Sequence, residues 1–93
     1  IDGLHQAAGN DPDLVVEVVS PPTRYKDIRT KRDDYERCGV GEYWIVDPDQ
    51  DSLTFLRHDG HKFVEVAPSG DVFASQAVEG FVLNISDVRA TFK

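Results

Sequence analysis

The chain has 93 residues, 10 of them Lys or Arg and 17 Asp or Glu, for a net charge of −7. That length allows one small domain with a modest core, and that charge argues against a general nucleic-acid binder. No stretch approaches the ~20 apolar residues that cross a bilayer, and the single cysteine, Cys38, excludes an intrachain disulfide.

A lone cysteine fits a reducing compartment and predicts a cytoplasmic protein that does not engage membranes. The chain starts at Ile1 and contains no methionine. We read residues 1–93 as a single partial domain, the C-terminal part of a larger one, with its first strand or strands and N-terminal helix missing.

In chain order, residues 1–12 show no period and carry Gly3, Gly9, Asn10 and Pro12, which predicts a loop. Leu14 to Val19 is β-branched on both alternating faces, the pattern of a strand covered on both sides. Ser20-Pro21-Pro22-Thr23 stops that strand and opens a helix, since proline suits a helix start but not its interior. The helix is predicted over Tyr25 to Cys38, with Gly39 ending it. Glu42 to Asp47 is a second apolar strand, stopped by Pro48.

Strand, helix and strand in this spacing form a βαβ unit, so the two strands should be parallel with a right-handed crossover. Beyond it, Leu53–Arg57 and Lys62–Ala67 flank Asp59-Gly60, a hairpin turn signal. Pro68-Ser69-Gly70 predicts another turn and Val72–Ala74 a short strand, while Ser86 is placed to cap a last helix through Phe92. The expected class is α/β, a mixed sheet with one βαβ crossover and C-terminal hairpins.

Two charges stand where burial is expected. Glu17 interrupts a run of valines and shares a face with Val15 and Val19. At about 100° per residue, Lys31 falls inside the apolar arc that Tyr25, Ile28, Tyr35 and Cys38 define on the helix. A right-handed crossover lays that helix over one face of the sheet. If it is the face of Glu17, the long lysine stem can reach the carboxylate. Each charge alone would cost several kcal/mol on the order of its desolvation, so a shared site is the economical reading. A structural ion pair or a snorkelling lysine is the plainer alternative, although snorkelling leaves Glu17 unexplained.

The helical segment gathers Arg24, Lys26, Arg29, Lys31, Arg32 and Arg37 against Asp27, Asp33, Asp34 and Glu36, leaving it +2 within an acidic chain. A locally positive helix can face a phosphate, although a solvated charged surface is the commoner meaning. His58 and His61 flank the hairpin turn and read as polar surface, because two histidines fall short of a zinc ligand set. Cys38, on the apolar arc, reads as core. Tyr43 and Trp44, on alternate sides of a strand, do so as well.

Pro12-Asp13-Leu14-Val15-Val16-Glu17-Val18-Val19-Ser20-Pro21, Lys31, Tyr35, Gly39-Val40 and Glu42-Tyr43-Trp44-Ile45-Val46-Asp47-Pro48 together resemble the Uma-two family of restriction endonucleases, part of the PD-(D/E)XK nuclease superfamily. The resemblance is strong over residues 12–48 and loose in the hairpin region. It implies a restriction-endonuclease-like fold and Mg²⁺-dependent hydrolysis of DNA phosphodiesters. Glu17 is implied as metal ligand and catalytic residue, and Lys31 as the catalytic partner of the phosphate and the attacking water. Asp13, Ser20 and Tyr35 are implied as supporting groups.

The superfamily usually carries its second acid and lysine on one strand as Glu-X-Lys. Here Val18 and Val19 follow Glu17, and the resemblance moves the lysine to the helix, where Lys31 matches. Asp13 completes the superfamily's name but lies four residues from Glu17, roughly 13 Å along a regular strand. Both cannot ligate one Mg²⁺, whose oxygen ligands sit about 2.0–2.1 Å from it. The family's first acid comes from an earlier strand, expected upstream of Ile1. A sheet lacking that strand would expose an edge, which predicts a homo-oligomer. The rival reading is a non-catalytic interaction module that keeps a nuclease-like core.

Overall fold

The computed structural model describes residues 13–20 and 24–92. The loop expected over residues 1–12, and the prolines expected to stop the first strand, lie outside them. The elements in order are β1 (Leu14–Val18), α1 (Arg24–Cys38), β2 (Glu42–Asp47), β3 (Ser52–His58), β4 (Phe63–Glu65), β5 (Val72–Ala74), β6 (Val82–Asn84) and α2 (Ile85–Arg89).

The main sheet has four strands in the order β1-β2-β3-β4. β1 and β2 are parallel, with Val15 opposite Tyr43 and Glu17 opposite Ile45. β2, β3 and β4 follow one another antiparallel. The sheet is therefore mixed, and α1 is the crossover of the predicted βαβ unit. β5 and β6 form a separate two-stranded sheet.

Both faces of the main sheet are covered, as the two-sided valine run requires. On the α1 face, Val15, Val40, Tyr43, Leu56 and Phe63 are buried together, with Tyr35 and Ile45 packed against them. On the opposite face, Leu14, Trp44, Phe55 and Phe73 form a second cluster, joined by Leu83 of β6 and Ile85 of α2. Phe55 and Phe73 stack at 3.9 Å between ring centroids, and Trp44 meets Phe73 edge-on at 5.3 Å. Burying a leucine or phenylalanine of this kind contributes about 1.5–3 kcal/mol.

The C-terminal end of α1 is fastened to the β3–β4 hairpin. The Glu36 carboxylate accepts from the Phe63 amide at 2.7 Å, and the imidazole of His58 donates through Nε2 to the Glu36 carbonyl at 2.9 Å. Gly39 ends the helix at φ +78°, a conformation that side chains disfavour. Gly41 is needed for a different reason: a Cβ there would stand 3.0 Å from the Asp13 carbonyl oxygen, where β1 and β2 first meet.

Four local expectations are corrected. Cys38 is exposed, not in the core; it lies at the margin of the apolar arc, in the last turn, where the helix surface turns away from the sheet. The helix cap is Asn84, whose Oδ1 accepts from the Asp87 amide at 3.1 Å, and not Ser86. That helix ends at Arg89, short of Phe92. β6 is an additional strand that Phe73 and Leu83 bring into register. Among the described residues no helix is long and apolar enough to cross a membrane.

Candidate active site

β1 carries Glu17 onto the α1 face, in step with Val15, and α1 carries Lys31 over the same face. The two side chains meet: Lys31 Nζ donates to Glu17 Oε2 at 3.1 Å across 14 residues of sequence. Glu17 is 3% exposed, whereas the Lys31 side chain keeps 32% of its surface in water. The carboxylate is thus fixed in the interior, and the Lys31 side chain is only partly covered. That asymmetry allows Lys31 to hold the carboxylate and still meet a ligand arriving from solvent.

Glu17 Oε1 is buried and has no hydrogen-bond partner among the described residues. A buried carboxylate oxygen without a partner costs about 1–3 kcal/mol, and more when charged, so such atoms call for an explanation. It is a hard oxygen donor of the kind Mg²⁺ prefers. No group of three or more His, Cys, Asp or Glu side chains able to hold a metal occurs among the described residues. A single carboxylate is the kind of donor that a hard divalent cation takes alongside waters and substrate oxygens.

The other sequence candidates occupy distinct positions. Asp13 is exposed immediately before β1, and its carbonyl accepts from the Glu42 amide at 3.0 Å. A strand rise of about 3.3 Å per residue keeps it roughly 13 Å from Glu17, so the two do not converge directly. Ser20 is half-buried just past β1. Tyr35 is half-buried one turn beyond Lys31, its ring edge-on to Tyr43 at 5.1 Å. His58 is spent on Glu36 and, through Nδ1, on the Gly60 amide, while His61 is exposed.

Sequence reasoning assigned Tyr43 to the core, and it is fully buried. Its hydroxyl, however, has no hydrogen-bond partner among the described residues. Burial, reinforced by the negative charge of Glu17, raises the phenol's pKa well above its ordinary value of 10.0. The group is therefore a neutral donor beside the site. The available signal was the register: with β1 and β2 parallel, a residue opposite Val15 shares a face with Glu17.

A second buried carboxylate, Glu42, lies on the opposite face. Its Oε1 accepts from the Ser75 hydroxyl at 2.7 Å, and its Oε2 accepts from Arg57 Nε at 2.7 Å and the Gln76 amide at 2.8 Å. Burial alone would raise its pKa, but the bonds from Ser75, Arg57 and Gln76 outweigh it and hold the carboxyl below its ordinary 4.5. Arg57 also donates to the Ala74 carbonyl and lies over the Phe73 ring at 4.9 Å. This network fastens the β5–β6 unit to the sheet. A cleft of about 250 Å³ opens beside it, lined by Gly41, Glu42, Arg57, His58, Gln76 and Ala77, away from Glu17.

Comparison with known proteins bears on the family and the fold. The Uma2 family, described as "Putative restriction endonuclease", matches residues 2–86. Among solved structures, a crystal structure described as a "putative nuclease belonging to DUF820" from Anabaena variabilis ATCC 29413 is similar, with a TM-score of 0.68 and 19% identity. The match covers 90% of this chain and 47% of that one, so this chain spans about half the length of its structural neighbour. At that identity the likeness concerns the fold, which is nuclease-like. No curated protein matches.

Proposed function

We propose that this chain, which belongs to the Uma2 family described as "Putative restriction endonuclease", contributes the Glu17–Lys31 part of a Mg²⁺-dependent site that hydrolyses DNA phosphodiester bonds. The observation that carries this reading is the 3.1 Å contact between Lys31 Nζ and Glu17 Oε2, made while the buried Oε1 stays without a partner. A purely structural pair would be expected to use both oxygens, as Glu42 does.

Glu17 would hold the metal through its free carboxylate oxygen. When bound, Mg²⁺ supplies Lewis acidity toward a phosphoryl oxygen and makes a coordinated water more acidic. Lys31 has two tasks in this chain. It neutralises the buried carboxylate, and its ammonium offsets the negative charge that grows on the phosphate as water attacks. The ammonium needs no rearrangement to do so, because Glu17 already fixes it. The +2 balance of residues 24–38 favours the approach of a polyanion on this side of an otherwise acidic protein.

Nicking of supercoiled plasmid in Mg²⁺ tests the proposal. Glu17→Gln preserves shape and removes the charge; Lys31→Met preserves length and removes the ammonium. Each should abolish Mg²⁺-dependent cleavage, and the double variant should lose little more than either alone, since groups serving one step are not additive. Full cleavage by a well-folded Glu17→Gln protein would end the assignment. A wild-type protein that binds DNA without cutting it in Mg²⁺ would favour the interaction module instead.

A further inference from the structure

Two buried polar atoms on the α1 face lack partners among the described residues, the Tyr43 hydroxyl and Glu17 Oε1. They are chemically complementary, one a donor and the other an acceptor. They are also neighbours by construction. Tyr43 stands opposite Val15 in the parallel ladder, and Glu17 is the next residue of β1 on the same face. Adjacent strands lie about 4.8 Å apart and two residues rise about 6.6 Å, so these backbones are roughly 8 Å apart, within reach of an aromatic side chain.

The ring of Tyr43 cannot turn freely toward some other partner. Tyr35 abuts it edge-on at 5.1 Å, and Phe63 lies at 6.0 Å. Its hydroxyl direction is therefore set by the core. Glu17 is held from the other side by Lys31. Neither group closes the gap by a direct hydrogen bond, and a single water with two polar partners is the ordinary way such a gap is filled.

We propose that Tyr43 is a positioning residue for Glu17, its hydroxyl donating to a buried water that in turn donates to Glu17 Oε1. The water takes one lone pair of Oε1 and leaves the other for a metal, and the phenol thereby fixes the orientation of the carboxylate, with Oε2 turned to Lys31. The metal-binding part of the test rests on Glu17 being a metal ligand; the link between Tyr43 and Glu17 does not.

The test is Tyr43→Phe, which keeps the ring and removes only the hydroxyl. Thermal and denaturant unfolding in EDTA and calorimetric titration with Mg²⁺ alone are measured on this variant, on Glu17→Gln and on the double variant. An unpartnered buried hydroxyl is a burden whose removal raises Tm. A hydroxyl linked to Glu17 stabilises, so its removal should lower Tm. The Glu17→Gln and Tyr43→Phe effects should also be non-additive by about threefold or more in the unfolding equilibrium.

Mg²⁺ should bind the Tyr43→Phe protein more weakly by about tenfold or more, in line with the loss of a group that orients a metal ligand. An unchanged or higher Tm overturns the proposal, and so does a lower Tm with strictly additive effects. If the wild type binds no Mg²⁺ while Tm falls and coupling persists, the link between Tyr43 and Glu17 stands and the metal reading fails.

Discussion

Glu17 and Glu42 are buried carboxylates on opposite faces of one sheet, and only Glu42 has both oxygens hydrogen-bonded within the described residues. Each faces a cation, Lys31 or Arg57. Charge and burial alone therefore do not separate a site from a brace. The difference lies in satisfaction. Glu42 is surrounded by donors that the fold itself supplies, whereas Glu17 keeps one oxygen in reserve.

Lys31→Met should destabilise the protein as well as inactivate it. It leaves the Glu17 charge buried without a cation, which costs about 3–5 kcal/mol for fully buried pairs. With Lys31 32% exposed, about 3 kcal/mol is the expected size. For a domain of this length that is roughly 12–24 °C in Tm. Adding Glu17→Gln should restore much of the loss, and a double variant as unstable as Lys31→Met would contradict the pairing.

Glu42→Gln should lower stability by about 2–4 kcal/mol, because it strips Arg57 of its counter-charge and weakens the bonds from Ser75 and Gln76. Its affinity for Mg²⁺ should be unchanged, since this network lies on the face away from Glu17. A calorimetric titration that differed from wild type would place Glu42 in the site.

Glu42 also predicts a pH dependence. Its carboxyl is held below 4.5 in the folded chain, so its contribution is present above that value and is lost as pH falls through the folded pKa. Urea midpoints of wild type and Glu42→Gln should differ most above about pH 5 and converge as the solution is acidified. A gap that widens on acidification would reverse the assigned direction.

Gly41→Ala should cost about 1–3 kcal/mol, as overpacking does, because the new methyl would meet the Asp13 carbonyl at 3.0 Å. The damage should be local. Amide exchange should quicken first at Glu42, whose amide donates to that same carbonyl.

Association is the fifth expectation. β1 lies at one edge of the described sheet, and Val18 upon it is 53% exposed. Edge strands of this kind invite pairing, and a charge on them blocks it. Light scattering should find wild type associating at high concentration and Val18→Lys remaining monomeric. A wild-type protein that stays monomeric would remove this expectation.

The βαβ unit was legible because each boundary had a local cause. The valine run signalled a strand covered on both sides, Gly39 ended the helix, and Pro48 followed the second strand. The Glu17–Lys31 contact was legible for a related reason: strand alternation, helix phase and crossover handedness jointly determine it. Glu42 was not legible. At the start of a strand it resembles a solvated boundary residue, and its partners Arg57, Ser75 and Gln76 lie 15, 33 and 34 residues away. β6, as short as the predicted β5, runs straight into α2 with no turn between them to mark its end, and Asn84 and Ser86 are equally good capping types.

The bond from Phe63 to Glu36 makes the β3–β4 hairpin a partner in aiming Lys31. Lys31 and Glu36 are five helical positions apart, about 7.5 Å of rise. A helix turns about 100° per residue, so a one-residue slip of the anchor would swing the ammonium well away from the carboxylate. Hairpins exchanged between relatives would therefore not be passive grafts. A chimera whose incoming strand moved the Phe63 amide could keep every residue of the site and still mistune it.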